Sequence, residues 1–240
     1  MKRVSTFVAG LDEILEGGVP DGSFVLIMGS PGTMKTSLAY SILHHNAIQG
    51  ERGLYVSLEQ SRDSLLAHTS SLGLPLEDAT DNLSILDIAG LRRKFAEYKD
   101  QSWPWVDLLK LYTKGLKASF NYRILALDSL DALELVADFQ NVRREVFDLI
   151  QWFRGLGCTT FVIGEAPSER GLRGTGEPLA STRHEEEYLA DGIFRIRKAK
   201  QGEFGVQRQL RVVKMRGTRH ETSYHVLLFE NGFRISPILT

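Results

Sequence analysis

The run Phe24-Val25-Leu26-Ile27-Met28-Gly29-Ser30-Pro31-Gly32-Thr33-Met34-Lys35-Thr36-Ser37 decides how the chain is read. Its first five residues are wholly apolar and stop at a glycine, the pattern of a strand buried on both faces of a parallel sheet. Its last three open a stretch, residues 35–48, that reads as a helix. Strand, glycine-rich turn and helix are the setting of a phosphate-binding loop. Gly29 to Thr36 follows the G-x-x-x-x-G-K-[ST] spacing except at Met34, which replaces the second glycine, with Gly32 two residues earlier. In such a loop, backbone N–H groups and the positive end of the helix point at a phosphate chain. Ser30, Pro31, Gly32, Thr33, Met34, Lys35, Thr36 and Ser37 are therefore the candidate nucleotide-binding residues. Lys35 would reach the β- and γ-phosphates, as the only cation the loop itself supplies, and the Thr36 hydroxyl would help hold Mg²⁺. Met34 keeps its N–H, but its Cβ restricts the backbone and its side chain needs room, so weaker binding or slower turnover than with a full motif is expected.

Outward from this run the alternation continues. Residues 53–58 (GLYVSL) read as a second buried strand, 61–72 as a helix stopping at Gly73, and 82–88 as a further strand. Residues 103–119 carry apolar residues at helical spacing, and 123–127 (RILAL) form a buried strand ending at Asp128. A helix with a charged face follows over 139–155, then a strand over 158–163. Strand–helix units of this length require parallel pairing, so the fold is α/β, a mostly parallel sheet with helices on both faces. After Glu165, residues 166–176 (APSERGLRGTG) read as a mobile loop. Residues 192–198, 209–215 and 222–229 alternate polar and apolar, as antiparallel strands added to one edge would. The length of 240 residues suits one domain over 1–240.

With 42% hydrophobic and 25% charged residues, the composition excludes a disordered chain, a collagen-like repeat and a disulfide scaffold. No apolar run near the start approaches the ~20 residues that span a bilayer, and the basic first ten residues lack the apolar core of a secretory signal. The lone Cys158 excludes an intramolecular disulfide and fits a reducing, cytoplasmic setting. Its apolar surroundings make it buried filler rather than a nucleophile. A net charge of −1 argues against a general polyanion binder. Between Ser168 and Arg219, however, 12 Lys and Arg stand against seven Asp and Glu, a face that is either simply solvated or meets phosphate. Of the six histidines, His44-His45, His184, His220 and His225 lack the clustering of a zinc site.

Ligands of parallel sheets bind beyond the carboxyl ends of the strands, and three acids fall there. Asp128 follows a hydrophobic run, the pattern of a residue that engages Mg²⁺, usually through water. Glu59 is the candidate to orient or deprotonate an attacking water, and Glu165 to sense the γ-phosphate or a neighbouring subunit. Each of these acids also fits a plain reading as a helix cap or surface carboxylate.

Together these motifs resemble the RecA-superfamily ATPases and, within them, the KaiC-like proteins. The likeness covers about residues 5–237: the lead-in Gly10-Leu11-Asp12-Glu13-Ile14-Leu15-Glu16-Gly17-Gly18-Val19-Pro20-Asp21-Gly22, the strand ending in Glu59, Leu127-Asp128-Ser129-Leu130, and Lys214-Met215-Arg216-Gly217-Thr218-Arg219-His220, which generic phosphate-loop proteins lack. The resemblance implies a RecA-like core and a homo-oligomeric ring, commonly a hexamer, binding ATP with Mg²⁺ between neighbours in a signalling or regulatory cycle. By it, Lys214 and Arg216, on an edge strand, would reach the neighbour's γ-phosphate. His220 and Thr222 would lie near its ribose or base, and Ser71 near the base. The sequence also departs from the family's clock member, which carries a second acid where Gln60 stands, a phosphorylated Ser/Thr pair where Glu187 and Tyr188 stand, and two ATPase repeats. Clock-style autophosphorylation and a circadian role are therefore not inferred. Two alternatives stand beside the ATPase. One is a non-hydrolysing, ATP-dependent assembly module, which Met34 and Gln60 favour. The other is a recombinase-like DNA-binding protein using Arg170 and Arg173 of the 166–176 loop, disfavoured because that loop has no aromatic residue to stack on bases.

Overall fold

A computed structural model describes residues 2–95, 104–137, 139, 141–166, 186–202 and 205–238. In chain order the elements are β1 (Arg3–Val4), α1 (Leu11–Ile14), β2 (Val19–Pro20), β3 (Phe24–Gly29), α2 (Lys35–Ile48), β4 (Gly53–Ser57), α3 (Arg62–Ser71), a 3₁₀ turn (Leu76–Ala79), β5 (Leu83–Asp87), α4 (Ile88–Phe95), α5 (Trp105–Phe120), β6 (Ile124–Asp128), α6 (Leu130–Val136), α7 (Val142–Gly155), β7 (Thr159–Glu165), α8 (Glu186–Leu189), β8 (Gly192–Gln201), β9 (Gly205–Met215), β10 (His225–Phe229) and β11 (Phe233–Pro237). β1 and β2 form a small antiparallel pair. The other nine strands form one sheet, in the order β11-β10-β9-β8-β3-β7-β6-β4-β5.

Successive strand residues face opposite sides, so a strand covered on both faces must be apolar throughout. β3 sends Val25 and Ile27 into one buried layer and Phe24, Leu26 and Met28 into the other. The first layer is filled by α2, through Leu38, Ala39, Ile42, Leu43 and Ala47, and the second by α5, α6 and α7, through Leu109, Leu133, Val146, Leu149, Ile150 and Phe153. α2 lacks a polar stripe because its outer side is also covered. His44 bonds the Pro75 carbonyl at 2.8 Å, and Asn46 donates to the Ser5 carbonyl at 2.9 Å. Side-chain caps start three other helices: Ser61 accepts from the Ser64 N–H, Ser129 from Ala132 and Asn141 from Arg144. Cys158 is buried, as its apolar context implies.

The sheet corrects the reading of the C-terminal strands. β8 pairs in parallel with β3 and extends the parallel set, and the antiparallel additions are β9, β10 and β11. The physical reason is the connection: β7 and β8 are joined by a crossover containing α8, whereas a hairpin would have reversed the chain. β9 is not an edge strand; it lies between β8 and β10, the outer edge is β11, and Arg216 lies just past its end. β10 starts at His225, three residues later than the alternation implied, and β11 was not read at all. Among the described residues no helix is long and apolar enough to cross a membrane. Most of the 166–176 loop, with Arg170 and Arg173, and His184 lie outside the described residues.

Candidate nucleotide site

Parallel pairing sets the site. Gly29 is in register with Glu165 on β7, and Ser57 with Asp128 on β6, so the ends of β3, β7, β6 and β4 form a row beside the first turn of α2. A pocket of about 400 Å³ opens there, lined by Pro31 to Ser37, Glu59, Gln60, His68, Asp128, Ser129, Ile163, Glu165 and Arg208. The structure thus brings together most of the loop with all three strand-end acids.

The loop's backbone is demanding. Gly29 is held so close to β8 that a Cβ would lie 2.6 Å from the Ile196 carbonyl oxygen, and Gly32 has a φ of 75°. Met34 caps α2 in the left-handed conformation, φ 70° and ψ 29°. A glycine adopts that geometry freely, whereas a side chain held there costs about 1–3 kcal/mol. The expected crowding by Met34 is eased, because its side chain packs on the apolar layer around α2. The strain therefore resides in its backbone.

Lys35 folds over its own loop, donating to the Gly29 carbonyl at 2.7 Å and the Ser30 carbonyl at 3.3 Å. Burial lowers its pKa from the ordinary lysine value, opposed by the charges of Glu165, Asp128, Asp131 and Glu59. Asp128 is buried, and its Oδ2 accepts hydrogen bonds from the Thr36 hydroxyl at 2.9 Å and the Tyr55 hydroxyl at 2.7 Å. Burial pushes the Asp128 pKa up, and these two donors pull against it. The Ser129 hydroxyl donates to Glu59 Oε1, tying the end of β6 to the residues after β4. The Glu165 N–H donates to Asp131 Oδ2 at 2.7 Å. Among the described residues no three His, Cys, Asp or Glu side chains converge as a metal cluster. The paired oxygens of Thr36 and Asp128 nevertheless suit Mg²⁺, which takes one or two protein oxygens and completes its shell with water and phosphate.

Ser30 does not line the pocket, but its carbonyl accepts from the Thr33 hydroxyl at 2.8 Å. Ser71 ends α3, where its hydroxyl bonds the His68 carbonyl, and it too lies outside the pocket lining. Lys214 donates to the carbonyls of Glu187 and Tyr188 at 3.2 and 3.3 Å. Arg216 pairs with Asp191 at 3.0 Å and reaches the Tyr188 carbonyl, so the two cations share a face away from their own chain's pocket. Burial, and then the Arg216 charge, lower the Lys214 pKa. Glu187 is paired with Arg195 at 2.6 Å. His220 bonds the Thr218 carbonyl, and exposed Thr222 lies between β9 and β10.

Four residues in or beneath the pocket carry no site role in the sequence reading. Ser129 was legible only as the neighbour of Asp128. His68 joins the site through Ser37, Nε2 to Oγ at 3.0 Å, and Tyr55 lies beneath it on the same sheet face as Asp128. Arg208 comes from β9, opposite Lys198 on β8, and its Nε donates to the Gly32 carbonyl at 3.2 Å. It adds, from outside the loop, a second cation to the Lys35 that the loop itself supplies. No short-range signal marks Arg208, because the β8–β9 register puts it there.

The family model described as ATPase: KaiC matches residues 4–238. The chain belongs to the KaiC ATPase family. Its RecA-like, phosphate-loop architecture is also that of the solved KaiC-like protein from Pyrococcus horikoshii, with a TM-score of 0.79 and 26% identity over 98% of this chain and 99% of that one. A UPF0273 protein of Thermotoga maritima is 30% identical over 246 residues, 99% of this chain and 97% of that protein. One from Methanopyrus kandleri is 29% identical over 250 residues, 99% and 93% respectively. The circadian clock protein KaiC2 of Synechocystis is 30% identical over 239 residues, but this KaiC-family chain spans only 40% of its length.

The left-handed backbone at Met34 gives a stability test by urea unfolding. Met34→Gly stays within about 1 kcal/mol of the parent, as relieved strain offsets lost packing and added chain entropy. Met34→Val, β-branched at positive φ, loses ~1–3 kcal/mol. Equal stabilities for the two variants contradict the conformation assigned to the loop.

Proposed function

We propose that this chain binds ATP with Mg²⁺ at the Gly29–Thr36 loop, hydrolyses it, and assembles as a ring in which each nucleotide lies between two copies. The observation that carries the reading is the convergence of Lys35, Thr36, Asp128 and Glu59 on one pocket at the ends of four strands. Loop N–H groups and Lys35 would bind the phosphates, Lys35 leaving the Gly29 carbonyl to do so. Arg208 adds a second positive charge from the same chain. Thr36 and Asp128 would hold Mg²⁺, which when bound neutralises charge on the phosphate oxygens. Glu59, oriented by Ser129, would position the attacking water and accept its proton. Ser71, His220 and Thr222 belong to the ribose and base side of this reading, and Glu165 to γ-phosphate sensing.

Lys214 and Arg216 fit service to a neighbour's nucleotide. They share one face, lie outside their own pocket and, among the described residues, are held by carbonyls around α8 and by Asp191. A signalling or regulatory role is the reading for such a ring, with the left-handed Met34 as the feature that would slow its turnover. The second reading, an assembly module that binds ATP without turning it over, is favoured by the engagement of Glu59 with Ser129 and by Gln60 where a second acid is missing. Steady-state phosphate release at saturating ATP separates the two: the ATPase releases phosphate above background, the module does not.

Lys35→Ala loses a charge-assisted contact of roughly 1.5–3 kcal/mol, an approximately 10- to 150-fold fall in ATP affinity by calorimetry; unchanged affinity contradicts the loop assignment. Glu59→Gln keeps ATP binding and slows phosphate release by roughly 10²–10⁴-fold, because the amide matches the carboxylate in shape but takes no proton. Arg216→Ala leaves Asp191 still bonded to Arg154 and the Phe24 N–H, so the variant folds yet hydrolyses poorly. Mixed with Glu59→Gln subunits it regains activity, since some sites then pair an intact Glu59 with a neighbour's Arg216. No recovery in rings shown to be mixed rules out the trans arrangement.

A further inference from the structure

We infer that Tyr55 is a positioning residue for the divalent cation: its hydroxyl, buried beneath the phosphate loop, sets the Asp128 carboxylate in the orientation that receives the metal and its water shell. The inference rests on the nucleotide reading above and adds to it a residue that no motif marks.

Tyr55 is the middle residue of β4 and is wholly buried. Its strand neighbours Leu54 and Val56 face the α5–α7 layer, so Tyr55 faces the α2 layer. β4 pairs with β6 so that Tyr55 is opposite Ala126 and Ser57 is opposite Asp128. Asp128 is thus the diagonal neighbour of Tyr55 on the same face, within reach of a long aromatic side chain. The Tyr55 ring meets Tyr40 of α2 edge-on, with centroids 5.7 Å apart. That packing fixes the ring and aims the hydroxyl at Asp128 Oδ2, 2.7 Å away.

A phenylalanine would fill this apolar position equally well. A hydroxyl here costs desolvation unless it is paired, and its partner is the one carboxylate that also bonds Thr36. Both donors, Tyr55 and Thr36, use the same oxygen, Oδ2. Without them the carboxylate turns freely over a broad, roughly two-fold torsion. With them it is held, and Oδ1, which accepts no hydrogen bond among the described residues, has its lone pairs for the cation's shell. The Thr36 hydroxyl can hold the metal through a lone pair while its proton stays on Asp128, and the Tyr55 hydroxyl, buried behind the carboxylate, is given to Asp128 alone. Hydrogen-bond partners of this kind, one step behind the metal-facing oxygens, typically control metal affinity 10- to 100-fold.

The test is Tyr55→Phe, which keeps the ring against Tyr40 and removes one oxygen. ATP binding is titrated against Mg²⁺, and separately in EDTA, with a thermal melt of each protein. The expected result is a cooperative melt, ATP affinity in EDTA within about twofold of the parent, and a half-saturating Mg²⁺ concentration raised roughly 10- to 100-fold. In an Asp128→Asn background the same change at Tyr55 leaves the Mg²⁺ midpoint where it was, because the group it positions is gone. An unshifted midpoint, an equal loss of ATP affinity with and without Mg²⁺, or loss of the cooperative melt makes Tyr55 merely structural and overturns the proposal. A parent protein that binds no ATP under either condition overturns the nucleotide reading itself, a distinguishable failure.

Discussion

In β3, β7, β6 and β4 the strand ends are in register, Gly29 beside Glu165 and Ser57 beside Asp128, and the rest of the site depends on that alignment. A parallel ladder can be reached only by crossing over the sheet face, so each strand returns with its carboxyl end on the same side. The acids at those ends were far apart in the chain and become neighbours for that reason alone. α2 is pinned against this row by the Thr36–Asp128 hydrogen bond at its first turn and by an apolar layer along its whole length. The loop between β3 and α2 then has little freedom, and the chain accepts a left-handed methionine within it.

The same crowding sets the electrostatics. Glu165, Asp128, Asp131 and Glu59 all act on Lys35, and burial of Asp128 resists its ionisation. Burial lowers the Lys35 pKa against the pull of four acids, and a polyphosphate would add negative charge that calls for further cations. Arg208 supplies one from within the chain. In the proposed assembly Mg²⁺ and the neighbour's Lys214 and Arg216 supply the others, which couples nucleotide binding to subunit contact. Closing a ring and completing a site then become one event.

How much of this was legible depended on the range of the signal. β3 and α2 could be read almost to the residue, because a wholly apolar strand, a glycine-rich turn and Lys-Thr are local features. Asp128, Glu59 and Glu165 were found by the rule that strand ends face the ligand, which needs only the order of elements. Arg208 and the parallel direction of β8 were not legible, since both follow from a register and a crossover that no short window contains. α6 went unread because its seven residues follow Asp128-Ser129 directly and are too short to show a helical period. Tyr55 was hidden differently: in an apolar strand it reads as one more large buried residue, and only the position of Asp128 gives its hydroxyl a purpose.

The central claim is that ATP is held by one chain's loop and completed by its neighbour. The most direct measurement is the structure of the assembled protein with Mg²⁺ and a non-hydrolysable ATP analogue. The account predicts the β- and γ-phosphates within the Gly29–Thr36 loop, Lys35 moved from the Gly29 carbonyl onto them, and Arg216 of an adjacent copy facing the γ-phosphate. A nucleotide seated away from that loop, or one reached only by residues of its own chain, contradicts it.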